Sequence, residues 1–241
     1  MLDRPDWARR TGFDGVEVLF PYDHPVADWE RALAGLPLAL INTPPGDWAS
    51  GDRGFAARPG HETEFRDSFL RAADYATRLG VPTVHVMAGV AKGPQAEGTY
   101  VENLAWAAAQ APDLRLCIEP LNPDDMPGYF LNDYDQAARI LDDLGHGRIG
   151  LQFDLWHAAR LHGDAWAVWE EHAARVLHVQ IAGFPGRNEP GGGGFSLPAL
   201  CDAVASRPGL WIAAEYRPAK GTAQGLGWLA ALKSRGSMIG S

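Results

Sequence analysis

Glu119 in CIEPLN, Asp154 in QFDLWH, Gln180 in HVQIAG and Glu215 in AAEYRP each close a short aliphatic run, where an apolar interior has no use for a polar side chain. Taken singly, such a residue caps a helix or sits in a surface ion pair. Four of them, spaced by 26 to 35 residues, recur at intervals close to one strand-and-helix unit. Three carboxylates brought together repel one another and raise each other's pKa unless a cation neutralises them. A divalent metal meets that need. Carboxylates with one neutral amide oxygen suit a hard ion, Mg2+ or Mn2+, whereas zinc more often recruits nitrogen and sulfur.

The elements that must position these residues are legible as seven strand-like runs, at 16–20, 38–42, 83–87, 115–119, 149–154, 176–181 and 211–216. Segments of helical periodicity lie between them, among them 62–79, 101–111, 134–144, 164–172 and 198–206. Strands that are apolar almost throughout, in alternation with helices, predict a parallel sheet covered by helices. Gly12 and Gly80 follow helical stretches, as left-handed C-caps would. If the sheet closes as a (β/α)8 barrel of TIM type, each strand carries its terminal polar residue to the C-terminal rim, where barrel active sites are built. Two long loops, 44–60 and 183–194, are too rich in Gly and Pro to be simple connections. Alternation continues on both sides of each, so residues 1–241 read as a single domain.

Composition sets further bounds. The chain has 241 residues, 46% hydrophobic, which is enough for one sizeable core. Its net charge of −9 repels a phosphate backbone and argues against nucleic acid as a partner. No apolar run reaches the length of a membrane span, and the charged N-terminus lacks the apolar stretch of a secretory signal. Cys117 and Cys201 both lie in apolar, core-like contexts, which favours a reducing, cytoplasmic setting over a disulfide-forming one.

The four motifs, together with GFDGVEVLFPY, NTPPGDWASGDRG and VHVMAG, resemble the hydroxypyruvate isomerase family of the xylose isomerase-like barrels, in the right order from about Gly12 to Pro218. The resemblance implies a (β/α)8 barrel that binds one divalent metal and interconverts an α-hydroxy aldehyde with an α-hydroxy ketone. It implies metal ligation by Glu119, Asp154, Gln180 and Glu215, with Glu119 and Glu215 also the acid/base pair. The implied substrates are hydroxypyruvate and tartronate semialdehyde, or related 2-oxo-tetronates.

Such a reaction removes a proton from a hydroxyl-bearing carbon and returns it to the neighbouring one. A metal stabilises the enediolate, and two flanking carboxylates move the proton. A small oxo acid also needs a cation for its carboxylate, and Arg187 in PGRNEPG is the first candidate, ahead of Arg53 and Lys92. His157 and His85 are placed to hydrogen-bond a substrate oxygen, and Trp48 to cover the site. The superfamily also holds sugar epimerases, inosose dehydratases and apurinic endonucleases. The last would need a His-rich multinuclear zinc site and a basic surface. A barrel retained only for binding is the non-enzymatic alternative.

One element is missing. Residues 1–11 read as the first helix, with no strand ahead of it, and the chain is a little short of the roughly 250 residues typical of a (β/α)8 barrel. Either the start was assigned late or the barrel has seven strands and an opening beside Glu215. Such an opening would expose strand edges and invite a homo-oligomer.

Overall fold

The run LALIN at Leu38–Asn42 is buried at every residue, as only a strand covered on both faces can be. It is β2 of a ring in which every neighbouring pair is parallel and spatial order follows chain order. Its companions are β1 (Val16–Glu17), β3 (Thr83–His85), β4 (Arg115–Ile118), β5 (Ile149–Asp154), β6 (Val176–Ile181), β7 (Ile212–Ala214) and β8 (Ile239–Gly240). The structure, a computed structural model, describes residues 1–191, 195–233 and 239–240. The last part of the 183–194 loop, 192–194, lies outside the described residues.

Helices α1 (Arg4–Thr11), α2 (Val26–Leu33), α3 (Glu62–Leu79), α4 (Pro94–Gln110), α5 (Tyr134–Leu144), α6 (Leu155–His162), α7 (Ala165–His172), α8 (Leu197–Ala205) and α9 (Gly227–Lys233) cover the strands. In α3, Phe65, Phe69, Ala72 and Ala76 form one buried stripe at helical spacing. Trp106 of α4 meets Phe65 and Phe69 edge-on at ring distances of 6.0 and 5.9 Å. Truncating a fully buried ring such as Phe69 would cost about 3–5 kcal/mol. The helix stops at Gly80, whose left-handed backbone (φ 68°) turns its N–H back onto the carbonyls of Ala76 and Thr77.

All seven strands read from the sequence are present, and no strand precedes α1. The expected opening is not there. The place between β7 and β1 is taken by β8, which pairs Ile239 with Ile212 and Gly240 with Ala213, and Gly240 bridges in parallel to Gly15. Glycines suit this seam because Trp211 fills it. A Cβ on Gly15 would lie 2.8 Å from the Trp211 ring, and a Cβ on Gly240 would already touch it at 3.8 Å. β8 thus leaves a nearly closed barrel, its two end strands joined among the described residues by the Gly15–Gly240 bridge.

At the rim several strands end earlier than their apolar runs. β4 stops at Ile118 and β7 at Ala214, so Glu119 and Glu215 each stand one residue beyond the last paired position, where the diverging chain frees the side chain. The 44–60 loop is laced to the segment after β3: Gly54 bridges Ala88, and the Ala57 N–H donates to the Ala88 carbonyl at 2.7 Å. A side chain at Gly54 (φ 105°) would collide with the Met87 carbonyl, so the lacing needs glycine.

Candidate active site

Asp154 ends β5 and is also the N-cap of α6, its Oδ1 accepting from the Trp156 N–H at 2.7 Å. The cap fixes the carboxylate and leaves Oδ2 facing the barrel mouth. There it receives Arg187 Nη2 at 3.2 Å and lies 3.6 Å from His157 Nε2. Glu119, Asp154 and His157 each offer one ligand atom within 4.8 Å of the others, a spacing a single cation can span.

His157 is nonetheless better placed as a donor than as a ligand. Its Nδ1 faces the backbone N–H of Asn122 at 3.0 Å, and that group can only donate. Nδ1 therefore carries the lone pair and Nε2 the proton, which points at Asp154. Burial holds the ring's pKa below its ordinary value, so it stays neutral.

Beneath this pair runs a continuous polar belt. Gln152 on β5 donates through Nε2 to Glu119 Oε2 at 2.8 Å and to Gln180 Oε1 at 2.7 Å. Gln180 on β6 donates to Glu17 Oε1 at 2.7 Å, and the other oxygen of Glu17 meets His178 Nε2 at 2.8 Å. Strand alternation already places Gln152 on the same face as Asp154, though neither Gln152 nor Glu17 was a candidate site residue; nothing local in VEVLF marks Glu17, whose partners come 161 and 163 residues later.

The electrostatics fit a cation. Burial first, then the charges of Asp154 and Glu215, push the Glu119 carboxyl well above its ordinary pKa of 4.5. Burial and the charge of Asp154 push Glu215 up to about 8, against the opposing pull of Arg187. Carboxylates this crowded ionise together only if positive charge is supplied. Glu119 and Asp154 stand within the span of one cation, whereas the Glu215 carboxylate lies outside that grouping and is paired with Arg187. Arg187 supplies part of that charge: Nη2 lies 2.7 Å from Glu215 Oε2, and Nη1 lies 3.6 Å from Asp125.

Glu119, Gln180, Glu215, Arg187 and Asp125 line a cavity of about 90 Å³ together with Asn42, His85 and Trp48, and Asp154 is fully buried behind its wall. His85 is fully enclosed, 3.7 Å from Glu119 Oε2, and burial holds its pKa down at about 3. Trp48 stands 43% exposed at the mouth, 5.9 Å from the Phe20 ring. Arg53 and Lys92 are not in the cavity wall. Arg53 stacks over Trp48 at 3.7 Å and donates to its carbonyl, stiffening the loop, and Lys92 is exposed.

Comparison with known proteins agrees with the fold. The family model described as "xylose isomerase-like TIM barrel" matches residues 5–232. A 2-oxo-tetronate isomerase of Cupriavidus necator is 44% identical over 95% of this chain and 91% of its own length. The hydroxypyruvate isomerase of Escherichia coli is 37% identical over 95% and 92%. Among solved structures, a Brucella melitensis protein titled "AP endonuclease, family 2" superposes with a TM-score of 0.90 at 38% identity, covering 95% of this chain and 92% of that one. The chain belongs to the xylose isomerase-like TIM-barrel family. Within that family it is an isomerase of the hydroxypyruvate isomerase group, and a small-molecule substrate follows from that membership. In TIM barrels active sites are built at the C-terminal ends of the strands, the end at which this cavity lies. No described helix is long and apolar enough to cross a membrane.

Proposed function

We propose that the chain is a metal-dependent isomerase of short hydroxy-oxo acids, acting on hydroxypyruvate and tartronate semialdehyde or on a related 2-oxo-tetronate. The observation that carries this reading is the pair Glu119 and Glu215, both raised in pKa and both electrostatically coupled to Asp154 around one cavity. The names of the Cupriavidus and E. coli relatives support the substrate class. Glu119, Asp154, Gln180 and Glu215 would hold one Mg2+ or Mn2+. When bound, such an ion supplies Lewis-acid stabilisation of the negative charge that develops on the substrate's oxygens.

The chain's own residues do the rest. One of Glu119 and Glu215 takes the proton from the hydroxyl-bearing carbon and the other delivers one to the neighbouring carbon, while the hydroxyl proton passes to the former carbonyl oxygen. The proton gained by the first carboxylate is returned to the second through solvent before the next turnover, and the roles exchange in the reverse direction. The Nε2–H of His157 donates to a substrate oxygen. Arg187 is the guanidinium nearest these atoms and forks the substrate carboxylate. Gln152 and Glu17 hold Glu119 and Gln180 in place through the belt. Trp48 limits entry of water at the mouth. Both cysteines are buried, and the compartment proposed for the chain is a reducing cytoplasm.

The endonuclease title of the Brucella protein does not alter this reading. The net charge of −9 opposes a nucleic-acid surface, and the proposed ligands Glu119, Asp154, Gln180 and Glu215 include no histidine. The decisive assay offers the purified protein hydroxypyruvate, a 2-oxo-tetronate, an inosose and a ketohexose, each after chelation and after addition of Mg2+ or Mn2+. Turnover of a short acid only with metal is expected. Turnover confined to the inosose or ketohexose, or no metal dependence, would overturn the proposal.

A further inference from the structure

Asn42 ends β2 and His85 ends β3, and the two are register partners across that pair, so their side chains leave the sheet side by side. Both line the cavity. Asn42 is 5% exposed and His85 1%, yet Asn42 Oδ1 and both ring nitrogens of His85 have no hydrogen-bond partner among the described residues. Buried polar groups are rarely left so. Three unpartnered atoms on two adjacent residues, all bordering one cavity, call for a ligand group that pairs with them.

Their chemistry says which group. An amide oxygen only accepts, whereas a neutral imidazole offers one N–H and one lone pair. A hydroxyl, which both donates and accepts, matches this set. A carboxylate does not, because it cannot donate to Asn42 and because Glu119 Oε2 already lies 3.7 Å from His85 Nδ1. The substrate's carboxylate belongs instead with Arg187, which follows β6, four strands around the eight-stranded ring from β2. A substrate laid across the mouth would present its carboxylate to Arg187, its two reacting carbons to Glu119 and Glu215, and the group on the next carbon to Asn42 and His85.

Building on the isomerase reading above, we propose that Asn42 and His85 form a hydroxyl-binding subsite that selects four-carbon hydroxy-oxo acids over three-carbon ones. A three-carbon acid ends at the second reacting carbon and leaves the subsite unpaired. A four-carbon acid places its terminal hydroxyl there. Sites built to bond a hydroxyl discriminate strongly against the analogue that lacks it.

The test uses probes that cannot be isomerised because they have no aldehyde or ketone group: erythronate and threonate with four carbons, glycerate with three. Their dissociation constants are measured on the Mg2+-loaded protein through its tryptophan fluorescence or by calorimetry. The better of the two tetronates is expected to bind at least tenfold more tightly than glycerate. Asn42→Ala should bring that ratio close to one while glycerate binding stays the same, and His85→Phe should act in the same direction. Asn42→Ser serves if the alanine variant folds poorly by circular dichroism. A wild-type ratio near one, or an equal loss for both probes in the variants, would overturn the subsite. Turnover is read separately: an intact binding ratio with no isomerisation of any short acid sinks the isomerase reading and leaves the subsite standing, and turnover with a flat ratio does the reverse.

Discussion

On the wall formed by β4, β5 and β6, the polar side chains bond one another: Gln152 joins Glu119 to Gln180, Gln180 reaches Glu17, and Asp154 is held by the Trp156 N–H. On the wall formed by β2 and β3, Asn42 and His85 are as deeply buried but carry unpartnered atoms. The first wall is pre-organised, its rotamers set before anything binds. The second is unsaturated, and burying an unpaired polar group costs about 1–3 kcal/mol. A fold retains such a cost where a ligand recovers it. The comparison separates residues that position chemistry from residues that recognise a substrate, and each substitution below tests that separation.

The largest effect belongs to the proton-transfer pair. Glu119→Gln and Glu215→Gln should each lower turnover by about 10²–10⁴-fold, the range for a lost acid or base, with the circular dichroism spectrum unchanged. Near-normal turnover in both variants would remove these residues from the mechanism. Next comes Gln152→Leu, close to isosteric, which deletes the donor shared by Glu119 and Gln180. Loss of a group that orients ligands typically costs about 10–100-fold in metal affinity. Calorimetric titration with Mn2+ should show that loss in Gln152→Leu and not in Asn42→Ala. Equal losses would erase the distinction between the walls.

The crowding of carboxylates also predicts a pH dependence. Glu215 is raised from an ordinary 4.5 to about 8, and Glu119 is raised as well, so the metal-free fold favours their protonated forms. The contribution of Glu215 to stability is complete below about pH 4.5 and is lost as pH rises through 8, and that of Glu119 falls with rising pH in the same sense. His85, lowered from 6.5 to about 3, has the opposite sense: its contribution is present above 6.5 and is lost on acidification. Between pH 6.5 and 9 the carboxylates alone therefore set the slope. With chelator present, Tm should fall across that interval, and excess Mg2+ should flatten the fall by favouring the ionised forms. A flat profile without metal would mean that the carboxyls are not crowded as described.

Much of this arrangement was legible in the sequence because it rests on local pattern. Apolar runs ending in Glu119, Asp154, Gln180 and Glu215 mark both the strands and the rim, and the boundaries of α3 and α5 follow from periodicity and a glycine stop. What was not legible depends on contacts across the ring. Glu17 looks like an ordinary strand residue until the fold sets it against His178 and Gln180. Asn42 stands out only through what its oxygen lacks. The closure by β8 rests on two residues with no strand-like run, and its fit depends on a ring from Trp211 lying over Gly15 and Gly240.

The smallest effect is expected at the mouth, where neither wall is altered. Trp48 contacts the Phe20 ring on one side and Arg53 on the other, while 43% of it remains exposed, so its removal neither opens the core nor frees a charged group. Trp48→Ala should raise KM a few-fold and leave kcat and metal affinity nearly unchanged, because the ring bounds the cavity without touching Glu119 or Glu215. The loop beneath it offers a sharper version. Gly54→Ala places a methyl against the Met87 carbonyl and must lift the lacing between the loop and the segment after β3, so it should exceed Trp48→Ala in KM while matching it in kcat. If kcat fell with KM in Gly54→Ala, the loop would be setting the geometry of β3 and His85 rather than covering the mouth.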